Sequence, residues 1–188
     1  MKGFVITLQS AKHARKQLDR FMKQADLYNY DVDVYWAVEG LTLTDQDFAK
    51  QDLFLNPDTT IYKRKGAQGC FMSHWNLWHH CVDQNQPIVV FESDAYITDV
   101  FPDIDINKYL IKLHIDKGTK QSEVTGSWSK GAHAYTITPK QAQCLIDGIR
   151  QTEVKPVDKA IGDKIVAWKH LDFDLVPQKK LGRSTTSI

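Results

Sequence analysis

The chain has 188 residues, with 24 basic and 23 acidic side chains and a net charge of +1, a balance that gives no support to a broad nucleic-acid footprint. With 42% hydrophobic and 25% charged residues, it is too apolar for disorder and long enough for one domain with a real core. Its longest aliphatic or aromatic run, Ile88–Phe91, excludes a membrane span, which needs about 20 apolar residues. The apolar part of the N-terminus, Gly3–Leu8, is too short for a signal peptide.

Residues 3–8 form a short apolar run and predict a buried strand. Ser10 is placed to cap a following helix, in which Ala11, Ala14, Leu18, Phe21, Met22 and Ala25 recur at helical spacing. Residues 31–38 alternate, with Val32, Val34, Trp36 and Val38 on one side, and predict a strand. Strand, helix and strand together imply a parallel pair with a right-handed crossover. Residues 41–66 are polar and weakly patterned, with a turn at Asn56-Pro57-Asp58. Residues 69–83 predict a helix whose Trp75 and Trp78 belong to the core and whose His79-His80 is a solvated end.

Pro87–Phe91 is continuously apolar, as in a central strand covered on both faces. It ends in Glu92-Ser93-Asp94. Leu110, Ile111, Leu113 and Ile115 mark another strand, and Gly131–Ile137 a further one. Thr138-Pro139-Lys140-Gln141 is a helix start, with a cap, a proline at the first position and a glutamine three after the cap. Pro156 opens a short helix through Val157, Ala160, Ile161 and Ile165. Leu171, Phe173 and Leu175 alternate with Asp172 and Asp174 as a last strand. The order of elements predicts an α/β fold.

The three cysteines, Cys70, Cys81 and Cys144, are too few and too scattered for a disulfide framework. In a helix, Cys70 and Cys81 stand about 16 Å apart, so reduced, cytosolic thiols are expected. Cys70 and His74, four residues apart, can share one helix face. A zinc site there needs two more ligands, and none is suitably spaced nearby in sequence.

In an open α/β sheet, ligands bind beyond the carboxyl ends of the strands. Glu92 and Asp94 occupy such an end and can hold a hard cation such as Mg²⁺ or Mn²⁺ through oxygen; an acidic turn former is the alternative. Neither a G-x-G-x-x-G nor a G-x-x-x-x-G-K-[ST] motif is present, which disfavours a dinucleotide fold and a P-loop. The absence of G-x-S-x-G disfavours a serine hydrolase.

Gly69-Cys70-Phe71-Met72-Ser73-His74-Trp75-Asn76-Leu77-Trp78, followed by the strand ending in Glu92-Ser93-Asp94, resembles the signature of glycosyltransferase family 25: G-C-x-x-S-H-x-x-x-W, then an apolar strand closing in E-D-D. The family includes lipooligosaccharide (lipopolysaccharide biosynthesis) and collagen galactosyltransferases. Val5–Leu8 with Arg15, Ala37-Val38-Glu39-Gly40, Gly131–Thr138 and Pro156-Val157-Asp158 agree with further family segments in the same order.

The resemblance implies a GT-A fold, Rossmann-like, with a mixed, mostly parallel central sheet, as a single minimal transferase domain over residues 1–188. It implies inverting transfer of a sugar, galactose or another hexose, from a UDP-sugar to a glycan or other hydroxyl acceptor, with Mn²⁺ or Mg²⁺ as cofactor. Asp94 then binds the metal, with Glu92 on the metal, its water or the ribose. Thr7, Leu8, Arg15, Ala37, Glu39, Glu92, His74 and His133 fall on the donor side, with Arg15 able to meet the diphosphate and His133 the donor or metal. Asp158 is the candidate general base, or a helix-start carboxylate. His74 also reads as a packed, hydrogen-bonded residue beside the tryptophans.

Two departures stand out. Ser93 replaces the family's middle acidic residue, and only 36 residues separate Asp94 from Gly131, which is short for acceptor-binding insertions. Ser93 also motivates a second reading, a non-catalytic nucleotide-sugar or glycan binder. The basic clusters Lys63-Arg64-Lys65 and Lys179, Lys180 and Arg183, which can approach phosphate or remain solvated, motivate a third, an enzyme glycosylating nucleic acid. The charge is segregated: residues 66–105 carry six acidic and no basic side chains.

Overall fold

A computed structural model of the chain describes residues 1–114, 131–162, 165–171 and 173–177. Ile115, Asp172, Lys179, Lys180 and Arg183 of the sequence reading lie outside the described residues. The elements are β1 (Lys2–Thr7), α1 (Ala14–Leu27), β2 (Val32–Trp36), α2 (Asp45–Ala49), α3 (Lys65–Asp83), β3 (Ile88–Glu92), β4 (Leu110–Lys112), β5 (Ala134–Ile137), α4 (Pro139–Arg150), α5 (Val157–Gly162) and β6 (Trp168–His170), with a single 3₁₀ turn at Gly40–Thr42.

The six described strands form one sheet in the order β2-β1-β3-β5-β4-β6. β1 pairs parallel with β2 and β3, and β4 parallel with β6, while β5 runs antiparallel to both its neighbours. The α/β class is the one the order of elements predicts, and the mixed, mostly parallel sheet is the one the family resemblance implies. The strand pairing brings Thr7, Trp36, Glu92, Lys112, His170 and the entry to β5 to a common edge.

Alternation along β3 divides the core. Ile88 and Val90 face the cluster built on α3 and α4, whereas Val89 and Phe91 face the one containing Phe21 and Ala25 of α1. Glu92, two residues after Val90, continues the α3-facing row. α4 starts as its sequence says: Gln141 N–H donates to Thr138 Oγ1 at 3.3 Å and Thr138 N–H to Gln141 Oε1 at 2.9 Å.

Four local expectations are corrected. Ser10 does not cap α1; the chain turns through residues 11–13, and the helix starts at Ala14 with His13 at its cap. The polar stretch 41–66 contains α2, where Thr44 N–H donates to Asp47 Oδ2 at 2.9 Å, and it buries Phe48, Leu53, Leu55 and Ile61. Among the described residues the last strand is β6, ahead of the expected Leu171–Leu175: Trp168 and His170 face inward around exposed Lys169, and Phe173 is exposed. His79 and His80 are half-buried rather than solvated, packed edge-on against Trp75 and Phe4 with ring centroids 5.0 Å apart in each pair.

Candidate active site at the carboxyl edge of the sheet

The core of the site is a clasp between α3 and the end of β3. Cys70, His74 and Trp78 follow one another at four-residue spacing, so they share the helix face turned toward the sheet. Cys70 Sγ donates to Glu92 Oε1 at 3.7 Å, and His74 Nε2 stands 3.5 Å from the same oxygen. Trp78 Nε1–H donates to the Tyr135 hydroxyl at 2.8 Å, and that hydroxyl lies 2.8 Å from His74 Nδ1. His74 and Tyr135 stack with 5.7 Å between centroids. The packed reading of His74 is therefore met, with Glu92 as its neighbour.

Electrostatics follow from this geometry. Burial alone pushes the Glu92 carboxyl up, but the adjacent imidazole of His74, the charge of His133 and the Cys70 thiol hold it below its ordinary value. Burial pushes the Cys70 thiol well up, and so do Glu92 and the negative charges of Asp158 and Asp94. Asp158 on α5 and Asp94 in the turn after β3 thus both act electrostatically on the Cys70 thiol.

A second set of contacts fixes the loop after β2. Ser73 Oγ accepts from Val38 N–H at 2.9 Å and donates to the Gly69 carbonyl at 2.7 Å. A Cβ on Gly69 would stand 2.5 Å from the Val38 oxygen, and one on Gly40 only 1.8 Å from the Lys65 oxygen. The two glycines let backbone meet backbone, so Ala37-Val38-Glu39-Gly40 is pressed onto the start of α3. In the G-C-x-x-S-H block, Gly69 and Ser73 hold this loop, whereas Cys70 and His74 hold Glu92.

The remaining sequence candidates spread along the same edge. Thr7 ends β1 and is buried, and its carbonyl accepts from Ala37 N–H at 2.8 Å. Leu8 and Glu39 are half-buried beside it, and Arg15 is exposed on the first turn of α1. The cation beside the acidic turn is Arg20, which the sequence reading did not single out. It donates to the Ala95 carbonyl at 3.1 Å and lies over the Tyr96 ring at 5.4 Å. Burial lowers its pKa against the opposing pull of Asp94. Arg20 sits two helical turns inside α1, and no motif marked it. Lys65, read as a phosphate candidate, is tied to the Leu43 carbonyl at 2.8 Å. Asp158 lies in the first turn of α5, where its Oδ1 accepts from Lys159 N–H at 3.0 Å.

His133 is buried, its Nε2–H donating to the Val176 carbonyl at 2.9 Å and its ring lying 4.1 Å from that of His114. His114 in turn packs on His170, 5.1 Å between centroids. Burial pushes the His133 imidazole down, against the pull of Glu92. Lys112 is fully buried, with its Nζ 3.1 Å from the Gly131 carbonyl and 4.8 Å from the Trp168 ring. No helix of the described residues is long and apolar enough to cross a membrane.

The family model described as glycosyltransferase family 25 (LPS biosynthesis protein) matches residues 1–124. A relative from Anopheles gambiae described as a glycosyltransferase 25 family member is 31% identical over 104 residues. That alignment covers 52% of this chain and 17% of the relative, so the chain spans a small part of the relative's length. Among solved structures, a glycosyltransferase involved in the glycosylation of the major capsid of PBCV-1 aligns with a TM-score of 0.41 and 10% identity, over 80% of this chain and 66% of that one. With two thirds of its residues inside the family model, the chain belongs to glycosyltransferase family 25.

Proposed function

We propose that this glycosyltransferase moves a hexose, galactose in the first instance, from a UDP-sugar to a hydroxyl of a glycan with inversion at the anomeric carbon. The observation that carries the reading is the Glu92 carboxylate clasped by Cys70 and His74 at the carboxyl end of the central strand, with Asp94 in the turn that follows and Asp158 on α5, a helix in contact with α3. Asp158 serves as general base: its carboxylate takes the proton of the acceptor hydroxyl as that oxygen attacks the anomeric carbon and the nucleoside diphosphate leaves from the opposite face. Thr7, Leu8, Ala37 and Glu39, at the ends of β1 and β2, form the floor for the nucleoside. Arg20 and Arg15 on α1, with His133 on the far side, supply positive or hydrogen-bonding groups toward the phosphates.

The donor set of the acidic turn is oxygen only, which fits a hard cation. Asp94 would hold Mn²⁺ or Mg²⁺, with the free oxygen of Glu92 toward its water or the ribose. When bound, such a cation supplies Lewis-acid neutralisation of the leaving diphosphate. Ser93 donates its backbone N–H to the Ile6 carbonyl at 3.0 Å, a bond independent of its side chain, and with a hydroxyl in place of the acidic group Asp94 would be the principal ligand.

UDP with Mn²⁺ should raise the melting temperature of the wild type by several degrees, an effect of ligand binding to the native state alone, and Asp94→Ala should abolish the shift. Metal-dependent release of UDP from UDP-galactose completes the test. A shift without turnover marks a non-catalytic binder, and no shift with any nucleotide-sugar overturns the proposal.

A further inference from the structure

The clasp on Glu92 has the composition and dimensions of a different kind of cation site. Cys70 Sγ, His74 Nε2 and a Glu92 carboxylate oxygen all lie within 4.8 Å of one another. Tetrahedral zinc bonds, about 2.0–2.1 Å to nitrogen or oxygen and about 2.3 Å to sulfur, place ligands about 3.3 Å apart for a nitrogen–oxygen pair and about 3.6 Å for a sulfur–oxygen pair. The corresponding separations here are 3.5 Å and 3.7 Å.

A second observation points to a ligand. His74 is fully buried, and its Nε2 has no hydrogen-bond partner among the described residues. A buried imidazole nitrogen aimed at a thiol and a carboxylate, without a hydrogen bond of its own, is costly unless something occupies the space between them. The other ring nitrogen is held by Tyr135, itself fixed by Trp78. That is the outer-sphere hydrogen bond which orients metal-binding histidines.

We infer that Cys70, His74 and Glu92 form a three-ligand site for a borderline divalent cation, zinc or cobalt, with a fourth position left for water or an incoming group. Binding releases the Cys70 thiol proton to solvent, and the ligating His74 carries its proton on Nδ1, donated to the Tyr135 oxygen. The negative charges of Asp158 and Asp94, which reach Cys70, favour a cation at this point. Cys70 and Glu92 are partly exposed, which gives an entry route. The sulfur and nitrogen ligands select against Mn²⁺ and Mg²⁺, so this site differs in kind from the oxygen-only site proposed at Asp94, with which it shares only the Glu92 carboxylate.

The test is optical. The chelator-stripped chain is titrated with Co²⁺. The expected result is a thiolate-to-cobalt charge-transfer band and the intense visible bands of four-coordinate cobalt, saturating at equimolar metal, bleached by Zn²⁺ and unaffected by excess Mn²⁺. Cys70→Ser should remove the charge-transfer band, whereas Cys144→Ser, at the exposed thiol, should leave it. Tyr135→Phe, which removes only the oxygen behind His74, should keep the band but weaken binding about tenfold. Glu92→Gln tests the same point should Cys70→Ser not fold, with weaker binding and the band retained. No charge-transfer band in the wild type, a band that survives Cys70→Ser, or Co²⁺ affinity unchanged in both Tyr135→Phe and Glu92→Gln overturns the assignment.

Discussion

Two stretches of one sheet edge are built on opposite plans. On the β1–β3 side, the polar groups are held by a single helix: Cys70, Ser73 and His74 of α3 reach Glu92 and the loop after β2 within two turns. On the β5–β4–β6 side, His133, His114 and His170 come from three separate segments and meet ring against ring, one pair tilted and one edge-on, and two of the rings are bonded to backbone carbonyls. The first arrangement is rigid because backbone approaches backbone through glycine. The second holds His133, a buried imidazole whose burial disfavours its charged form.

This contrast can be broken on the β1–β3 side. The largest effect should come from Gly40→Ala, whose new Cβ would meet the Lys65 carbonyl oxygen at 1.8 Å. Neither backbone can yield without parting the loop from α3, so a loss of about 4 kcal/mol is expected, at the far end of single-substitution effects, read by urea denaturation. Ser73→Ala should cost less. It leaves Val38 N–H without its acceptor and removes the bond to Gly69, a penalty of about 1–3 kcal/mol, and the same denaturation series checks it. Equal stability in both variants would show that the loop is not held by α3.

The contrast also explains what the sequence made readable. The clasp follows helical spacing, so Cys70 and His74 were legible as sharing a face. Their third partner was not, because Glu92 reaches them only through the β3–α3 packing of a strand 18 residues further on. The strands read well where apolar runs were continuous, as in β3. β6 did not, because only Trp168 and His170 of Trp168-Lys169-His170 face inward, and that triplet carries no aliphatic signal. α2 was hidden in a polar stretch whose start signal, Thr44-x-x-Asp47, is short and whose buried residues are scattered. The histidine group was illegible for a topological reason: β5 inserts between β3 and β4 and β6 lies beyond β4, an order no local pattern encodes. Arg20 was missed likewise, since its partners lie 75 residues away.

The smallest effect should sharpen the comparison from the histidine side. Burial holds the His133 imidazole below its ordinary value of 6.5, with Glu92 and Asp174 pulling the other way and Lys112 adding to the depression. The unfolded chain therefore binds the proton first as pH falls. Stability contributed by the neutral ring is complete above pH 6.5 and declines below it, toward the folded-state pKa. Glu92 behaves oppositely in origin: its folded value lies below 4.5, so its contribution is intact above pH 4.5 and is lost only in more acid solution. His79, also depressed by burial, is untouched by substitution at 133. Between pH 6.5 and 4.5, stability of the wild type should thus fall with a steeper slope than that of His133→Gln, by up to about one proton's worth, roughly 1.4 kcal/mol per pH unit. Equal slopes, measured by urea denaturation across that window, would mean that His133 is protonated alike in both states and that the histidine side of the edge is no more open to acid than the clasp.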